Sequence, residues 1–385
     1  LRTERVSIGK SGSEANGHSG YNAISADGQV VAFGSLASNL DPRDTDPVSD
    51  IYVHDRATGK TTLVSERMGA GASLQGCYRL SISADGRFVA FECIDDNVLP
   101  GDVNYQPDIF VRDLVTQTTE LVSVGPQGQA GDRESMRPSI SADGRYVAFM
   151  SAATNWFPAQ AGYGAGIFVR DRQLGKTLPA TMLHSGHLAP GACWNPAISA
   201  DGRYVAYEGG SALLVPGQPF SPFGTDILRW DRATGHTLNA CISIQGGAQN
   251  HYSAKPGLSH DGRFLTFQTN ADNLVVQPGK LPMVIWKDME TGATVVVNED
   301  PQGGPANNWA SDPAISGDGR AVAFHSKATD LAPGASGNVY HVYVRTCDVA
   351  SPSTYCKPAK PPGGCVGRMS FQGAPSATAG SGFEV

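Results

Sequence analysis

The sequence predicts an all-β fold, a six-bladed β-propeller, and three observations carry this prediction. A segment of ten residues recurs six times, at intervals of 57 to 60 residues. Each copy carries an Asp-Gly pair at the same place. The composition, with 46 Gly, 25 Pro and only 17% charged residues, is typical of a chain built from strands and turns.

Each copy of the repeat reads as a strand, a turn and a second strand. The copies are residues 24–33, 82–91, 140–149, 198–207, 258–267 and 315–324. Asp and Gly both tolerate the positive φ that a two-residue hairpin requires. We therefore expect a two-residue hairpin at each pair, for example at Asp85 and Gly86.

A third apolar strand follows each copy, as at residues 51–54, and a fourth follows most copies, as at residues 119–123. Four antiparallel strands make one propeller blade. The last repeat has no fourth strand, whereas residues 3–7 (Thr-Glu-Arg-Val-Ser) resemble residues 119–123 (Thr-Glu-Leu-Val-Ser). We therefore expect the N-terminal strand to complete the last blade, which would close the propeller and remove an exposed sheet edge.

The charge and the cysteines narrow the class of protein. A net charge of −7 argues against a nucleic-acid partner, and no apolar run reaches the roughly 18 residues of a membrane span. Three of the seven cysteines, Cys347, Cys356 and Cys365, crowd a Pro- and Gly-rich tail. This usage favours an oxidising compartment, so we expect a secreted protein with a propeller over residues 1–346 and a tail over residues 347–385.

Part of the repeat resembles a known family. The pattern Pro-x-Ile-Ser-x-Asp-Gly-Arg-x-Val-Ala-Phe is similar to the TolB-type propeller repeat, and it is clearest at residues 138–149, 196–207 and 313–324. The tail resembles a region that follows such propellers in secreted bacterial proteins, where the chain continues into a small β-domain. The resemblance implies the fold and an extracellular bacterial setting, and it leaves the activity open because propellers host many functions.

Candidate ligand-binding residues lie where the repeats should open onto a central channel. They stand three residues before or ten residues after the first residue of each copy, at the end of the strands opposite the Asp-Gly turns. The predicted set is Arg79, Glu92, Arg137, Asn195, Glu208, Lys255, Gln268, Asp312 and His325. One interpretation is a ligand funnel whose cations face an anionic group, and the other is a water-filled channel lined by solvated charges.

A repeated acidic spacing predicts calcium. The pattern Asp-x-Asp/Asn-x-x-x-Asp occurs twice, and hard oxygen ligands at such spacing suit Ca²⁺. The two predicted sets are Asp44, Asp46 and Asp50, and Asp102, Asn104 and Asp108. The alternative is that these side chains only hydrogen-bond their own turns.

The register of the second repeat predicts a disulfide between Cys77 and Cys93. Counting outward from the turn at Asp85 and Gly86 places position 94 opposite Cys77, and a bulge or a strand end absorbs one residue. The alternative is two buried thiols. A bridge between Cys193 and Cys241 is a weaker expectation.

Three functions are consistent with the sequence. The favoured one is a secreted, non-catalytic binding or scaffold propeller with a protein or glycan ligand, because no catalytic motif is present. The alternative is a polysaccharide lyase or hydrolase. Some TolB-like propellers are such enzymes with metal-binding His and Gln residues, and this chain has His325 and Gln268 at equivalent positions of its repeats. His325, Glu92 and Glu208 would then act as the acid and base of the reaction. The third is a subunit of an extracellular assembly, homo-oligomeric or joined through the tail.

Aromatic residues in or beside the long loops suggest sugar stacking: Trp156, Tyr163, Trp194, Phe220, Phe223 and Trp309.

Overall fold

The computed structural model describes residues 3–9, 12–68, 75–94, 98–99, 104–159, 161–210, 212–222, 224–279, 282–337 and 339–347. These residues form two compact units, one up to Ile198 and one from Ser199 onward. Apart from a single 3₁₀ turn at Ala212–Leu214, the described regular structure is β. None of the described residues forms a helix long and apolar enough to cross a membrane.

The unit up to Ile198 contains two separate antiparallel sheets and a third, extended one. The first two have the strand orders β1-β2-β3-β4 and β5-β6-β7-β8. The third contains β9 to β13, in which β13 pairs in parallel with β11. The bounds are β1 (Ser19–Ile24), β2 (Val30–Ser35), β3 (Asp50–Asp55), β4 (Lys60–Leu63), β5 (Cys77–Ile82), β6 (Phe88–Cys93), β7 (Asp108–Asp113), β8 (Thr118–Leu121), β9 (Ser135–Ile140), β10 (Tyr146–Ser151), β11 (Tyr163–Asp171), β12 (Lys176–Pro179) and β13 (Gly191–Ile198).

The unit from Ser199 onward contains β14 to β23. Its separate sheets have the orders β17-β18-β19-β20 and β21-β22-β23, while β15 pairs with β14 and β16. The bounds are β14 (Tyr204–Gly209), β15 (Asp226–Asp231), β16 (Thr237–Asn239), β17 (Ser253–Leu258), β18 (Phe264–Thr269), β19 (Met283–Asp288), β20 (Thr294–Val296), β21 (Ala310–Ile315), β22 (Ala321–Ser326) and β23 (His341–Thr346).

The prediction of six blades is wrong, although the all-β propeller fold class fits. Within the described residues four separate blades stand out, namely the sheets β1–β4, β5–β8, β17–β20 and β21–β23. The third and fourth repeats do not form separate blades. Their strands begin early, in the small-residue stretches at Tyr163 and Gly191, where the backbones approach closely enough for a parallel pairing.

The predicted closure by an N-terminal strand is also wrong. Residues 3–7 form no strand, and the sheet β21-β22-β23 has three strands in the described part of the chain. The N-terminal segment instead lies against the first sheet, where Glu4 pairs with Arg56 and Thr61 Oγ1 donates to Ile8 O at 2.5 Å.

The similarity that suggested closure has another physical meaning. Glu120, the counterpart of Glu4, pairs with Arg172 in the following sheet, just as Glu4 pairs with Arg56. Residues 3–7 and 119–123 therefore each contain a Glu that pairs with an Arg of the first and the following sheet, respectively. That likeness does not require residues 3–7 to pair with a strand of the preceding one.

The Asp-Gly turns are tight and uniform, but they are not two-residue hairpins. Gly28 has a φ of 71°, whereas Asp27 is not among the residues with positive φ. Ser25 N donates to Val30 O at 2.9 Å, so the turn has four residues between its last paired positions. Ser25 Oγ also donates to Asp27 Oδ1 at 2.6 Å, which leaves Gly as the one position that needs the left-handed conformation.

A repeated ion pair fastens these turns to the third strand of the sheet. In four repeats the Arg after the Gly donates two hydrogen bonds to the Asp that ends that strand. Arg263, for example, reaches Asp288 Oδ1 and Oδ2 at 3.0 and 2.7 Å. The other pairs are Arg87–Asp113, Arg145–Asp171 and Arg203–Asp231. Bidentate geometry makes such pairs strong and directional.

Candidate functional site

The predicted ligand-binding residues lie at the loop end, which we define as the end of each sheet opposite its Asp-Gly turns. Here the first strand of a repeat carries a β-bulge, as in β17, whose pairing with β18 shifts between Ala254 and Gly257. The bulged residue is left-handed in five repeats: Tyr21, Arg137, Asn195, Lys255 and Asp312 have φ between 43° and 61°. Side chains of such different chemistry share this strained conformation, so it belongs to the repeat and not to one particular ligand.

Residues at the two predicted repeat positions, three before and ten after the start of a copy, are hydrogen-bonded to one another. Arg137 N donates to Glu92 Oε2 at 3.0 Å, Lys255 N to Glu208 Oε1 at 2.8 Å, and Asp312 N to Gln268 Oε1 at 3.3 Å. In each case the acceptor stands ten residues after the start of one repeat and the donor three residues before the start of the next. These side chains therefore link consecutive repeats, a role that the sequence interpretation missed.

Side chains in the first unit are paired further. Arg137 Nη1 donates to Asn195 Oδ1, and the Arg79 guanidinium lies 5.6 Å from the centre of the Tyr21 ring. Burial raises the pKa of Glu92, although the Arg137 amide and the nearby guanidinium groups oppose the rise. The cations here are engaged with protein groups.

In the second unit Lys255, Asp312 and His325 form a connected group. Lys255 Nζ forms an ion pair with Asp312, and His325 Nδ1 lies 3.3 Å from Asp312 Oδ2. Ser311 Oγ lies 2.8 Å from His325 Nε2. Burial lowers the pKa of His325 below its ordinary value; Asp312 opposes this change, and Lys255 adds to it.

These contacts include Ser, His and Asp, but their geometry does not support nucleophilic catalysis. Ser311 Oγ lies 3.0 Å from Asp312 Oδ2. In a catalytic triad the hydroxyl and the carboxylate bind opposite ring nitrogens and lie well apart, so that the base is free to take the serine proton. Here the hydroxyl can donate directly to the carboxylate, which leaves the imidazole with no distinct role as a base.

Aromatic rings surround His325. Its ring centre lies 6.1 Å from that of Trp309 and 5.0 Å from that of Tyr340, and the latter two centres are 5.3 Å apart. Tyr340 was missed by sequence reasoning, since it directly precedes a strand whose apolar pattern absorbed it. Trp156, in contrast, is buried against Phe149 and Phe168, and Phe223 lies outside the described residues.

The first acidic loop brings its three carboxylates together. One oxygen of each of Asp44, Asp46 and Asp50 lies within 4.8 Å of the others. Asp50 is fully buried, its Oδ1 accepts from Ser65 Oγ at 2.6 Å, and its Oδ2 has no hydrogen bond. Burial, with the neighbouring carboxylates, raises the pKa of Asp50 to about 6, although Ser65 and Arg67 oppose the rise.

A cation of the protein already enters this loop. Arg67 Nη1 pairs with Asp46 and lies 3.7 Å from Asp50 Oδ2. Three carboxylates face one Arg here, so a cation could reach these oxygens only in competition with Arg67. Sequence reasoning missed Arg67, which lies 17 residues from Asp50 along the chain.

The second predicted set differs from the first. Asp102 lies outside the described residues, and Asn104 Nδ2 donates to Asp108 Oδ2 at 2.7 Å. Ser123 Oγ donates to Asp108 Oδ1, the same arrangement as Ser65 with Asp50. The Asn104 amide thus lies beside Asp108 in the position that corresponds to that of Arg67 beside Asp50.

The predicted disulfide is confirmed. Cys77 pairs with Cys93 in the strand register, and their Cα atoms are 4.0 Å apart. The register shifts between Cys77 and Leu80, so a bulge supplies the one-residue offset. The weaker expectation for Cys193 and Cys241 is wrong, because both are buried thiols.

Comparisons with known proteins show the fold. No family model matches the chain, and no curated protein matches it. Among solved structures, the β-propeller domain of the Trilobed protease from Pyrococcus furiosus is 13% identical over 86% of this chain and 81% of that one, with a TM-score of 0.51. The similarity shows that this chain has a β-propeller fold.

Two further solved structures are similar to this chain. A prolyl endopeptidase structure is 12% identical with a TM-score of 0.51, over 86% of this chain and 41% of that one. TolB from Acinetobacter baumannii is 15% identical over 86% of this chain, with a TM-score of 0.43, and the chain spans 61% of its length. At such identities the likeness concerns the fold alone.

Proposed function

We propose that this chain is a binding or scaffold propeller without catalytic activity, that it acts outside a bacterial cell, and that its ligand is a protein or a glycan. One observation carries the proposal: the polar side chains at the loop end are engaged in linking consecutive repeats. Glu208 accepts from Lys255 N and Gln268 accepts from Asp312 N, so both are committed to the scaffold. Scaffolding residues of this kind hold the loops that would carry a ligand site.

The cysteines support the extracellular part of the proposal. Cys77 is bridged to Cys93, and Cys347 is also disulfide-bonded. Disulfides persist in oxidising compartments and are rare where thiols are kept reduced. A measurement of the redox state of Cys77 and Cys93 in cells, by alkylation before lysis, tests this part; alkylated Cys77 and Cys93 in most molecules would contradict it.

Calcium at the first acidic loop is a second part of the proposal. Its support is the convergence of the Asp44, Asp46 and Asp50 oxygens and the buried Asp50 Oδ2 that lacks a hydrogen bond. We expect millimolar Ca²⁺ to raise the melting temperature of the wild type and to leave that of Asp50→Asn unchanged. Equal responses of the two proteins, or none in either, would contradict a calcium site here.

The alternative function is a polysaccharide lyase or hydrolase, and the polar group around His325 is the feature that favours it. The full chain is to be screened on a glycan array and incubated with the same polysaccharides. We expect retention on the array, or on a protein partner from the same secreted fraction, without cleavage products in mass spectra. Products that disappear in His325→Ala would establish the enzyme instead.

A further inference from the structure

The sheet β21-β22-β23 carries an aromatic cluster at its loop end. We call Trp309, His325 and Tyr340 the aromatic platform. Trp309 directly precedes β21, His325 is the second-last residue of β22, and Tyr340 directly precedes β23. In an antiparallel sheet the start of one strand lies beside the end of the next, so the register itself brings these three side chains together.

A hydrogen bond and a carboxylate contact fix the orientation of the His325 ring. His325 lies opposite Ser311 in the register, and its Nε2 is 2.8 Å from Ser311 Oγ, while its Nδ1 is 3.3 Å from Asp312 Oδ2. The three rings meet edge to face, with interplanar angles of 62° to 66°. Rings held in this way lose little conformational entropy when a ligand stacks on them.

The platform is accessible. Half of the Tyr340 surface is exposed (50%), and Trp309 is partly exposed. An exposed Tyr with a fixed ring offers an apolar face to the C–H groups of a sugar and a hydroxyl to its oxygens.

A cation is poised over the same ring. Lys327 Nζ lies 4.5 Å from the centre of the Tyr340 ring. Among the residues that the structure describes, no carboxylate lies within ion-pair distance of Lys327. Its charge is therefore available to a ligand that stacks on Tyr340.

The set occurs in the last repeat alone. The positions equivalent to Trp309 and Tyr340 in the other repeats are His18 and Ser49, Gly76 and Pro107, Glu134 and Ala165, Ala192 and Thr225, and Tyr252 and Pro282. None of these pairs has two large aromatic rings. A feature of the repeat as such would recur, so the platform is specific to this place.

We propose that the aromatic platform binds an acidic sugar residue of a glycan. The pyranose ring stacks on Tyr340 beside Trp309, and its carboxylate or sulfate group is bound by Lys327. This inference rests on the proposed binding function and names the ligand class and the site within it.

The test is calorimetric titration of the full chain with three hexasaccharides: an oligouronate, the same oligomer with its carboxylates methyl-esterified, and a sulfated neutral oligomer. The wild type should bind at least one acidic oligomer about fivefold more tightly than the ester, equivalent to roughly 1 kcal/mol for one exposed charge pair. Preference for the uronate over the sulfated oligomer, or the reverse, identifies the anionic group.

Two variants and one matched control locate the site. Tyr340→Ala should weaken binding of each oligomer that binds by about tenfold, because a stacked ring contributes of the order of 1 kcal/mol or more. Lys327→Gln should bind the acidic oligomers no more tightly than the methyl-esterified oligomer, while its affinity for the methyl-esterified oligomer should equal that of the wild type. Tyr252→Ala replaces another partly exposed ring (36%) in the same unit and should leave all affinities within about twofold.

The outcomes separate this inference from the proposed function. Acidic oligomers that bind Tyr340→Ala as tightly as the wild type would overturn the site and leave the binding function standing. Absence of binding to all three oligomers would overturn the ligand class, while capture of a protein partner would still support a binding propeller. Cleavage of an oligomer by the wild type would overturn both.

Discussion

The turn end of the sheets, which carries the Asp-Gly turns, differs from the loop end in how far its side chains are repeated. This difference distinguishes the structural scaffold from the candidate binding site. At the turn end one chemistry recurs: a Ser–Asp hydrogen bond, a left-handed Gly and a bidentate Arg–Asp pair, as with Arg203 and Asp231. At the loop end the backbone bulge recurs, but its side chain is Tyr, Arg, Asn, Lys or Asp. Constant backbone with variable side chains is what a rigid scaffold for binding loops requires.

The largest effect is expected at the turn end. Asp288 is fully buried; burial would raise its pKa, but the hydrogen bonds from Arg263 and from backbone amides lower the pKa overall. Asp288→Ala should reduce the free energy of unfolding by about 3 kcal/mol, because it leaves Arg263 and those amides without their acceptor. Urea denaturation followed by circular dichroism measures the loss.

Glu290 provides the matched control for Asp288. The same Arg263 reaches Glu290 Oε2 at 3.1 Å, but Glu290 is largely exposed. Glu290→Ala should cost less than about 0.5 kcal/mol, as exposed ion pairs usually do. Equal losses for the two variants would show that the repeated Arg–Asp pair is not a structural clamp.

The second effect concerns the covalent link at the loop end. Cys77 and Cys93 are 16 residues apart in sequence, and their bridge ties the bulged β5 to β6. The double variant Cys77→Ala/Cys93→Ala should lose roughly 3 kcal/mol in the chain-entropy account of such a loop. Reduction should lower the stability of the wild type more than that of the variant, because the variant retains only the Cys347 disulfide among those of the described residues. Equal losses under reduction in both proteins would show that the Cys77–Cys93 bridge contributes nothing.

An effect of at most similar size should appear as a pH dependence of stability. The pKa of Asp50 is about 6 in the folded protein, against about 3.9 in an unfolded chain. Its contribution to stability is therefore present below about pH 4 and is lost as the pH rises through about 6, by at most roughly 3 kcal/mol in total. Asp50→Asn should remove this part of the profile when unfolding is measured between pH 4 and pH 7 without Ca²⁺.

Asp226 sharpens the same comparison. Burial raises its pKa to about 6 as well, but its partners are Asn239 and Gln249 and no Arg. The Asp50→Asn variant should thus retain the contribution of Asp226 to the pH profile. A profile that does not change in Asp50→Asn would mean that Asp50 is not the group that titrates.

The smallest effect is expected at the bonds between repeats. Glu208→Gln keeps an oxygen acceptor for Lys255 N and should cost about 0.5 kcal/mol, whereas Glu208→Ala leaves that amide without its acceptor and should cost about 1 to 2 kcal/mol. The difference between the two variants, from urea midpoints, reports the bond itself. Equal stability of both would argue that Glu208 is not part of the scaffold.

Sequence reasoning succeeded where the information is local. The spacing of the repeats located the strands, and counting from Gly86 located the partner of Cys77. It failed where partners are distant: the early start of β11 at Tyr163 joins β13, and Arg67 enters the loop of Asp50 from 17 residues away. It also failed for residues 3–7, where Glu4 matched Glu120 through a contact with the next sheet.

The candidate site was predicted only in part. His325 was singled out by its place in the repeat, and Trp309 by its ring. Tyr340 and Lys327 stand at repeat positions to which the sequence analysis assigned no role, and the register of β21, β22 and β23 brings them to His325. A comparison of aromatic residues just before each third strand would have found Tyr340, since the other repeats carry Ser, Pro, Ala, Thr and Pro there.

One measurement tests the division between the two ends most directly: the affinity of Asp288→Ala for the tightest-binding acidic hexasaccharide, determined below its melting temperature beside that of Tyr340→Ala. We expect Asp288→Ala, although less stable, to bind within about twofold of the wild type, because the effects of distant, independent sites are usually additive. We expect Tyr340→Ala to melt like the wild type and to bind about tenfold more weakly. Loss of binding in Asp288→Ala equal to that in Tyr340→Ala would contradict the separation of scaffold and site.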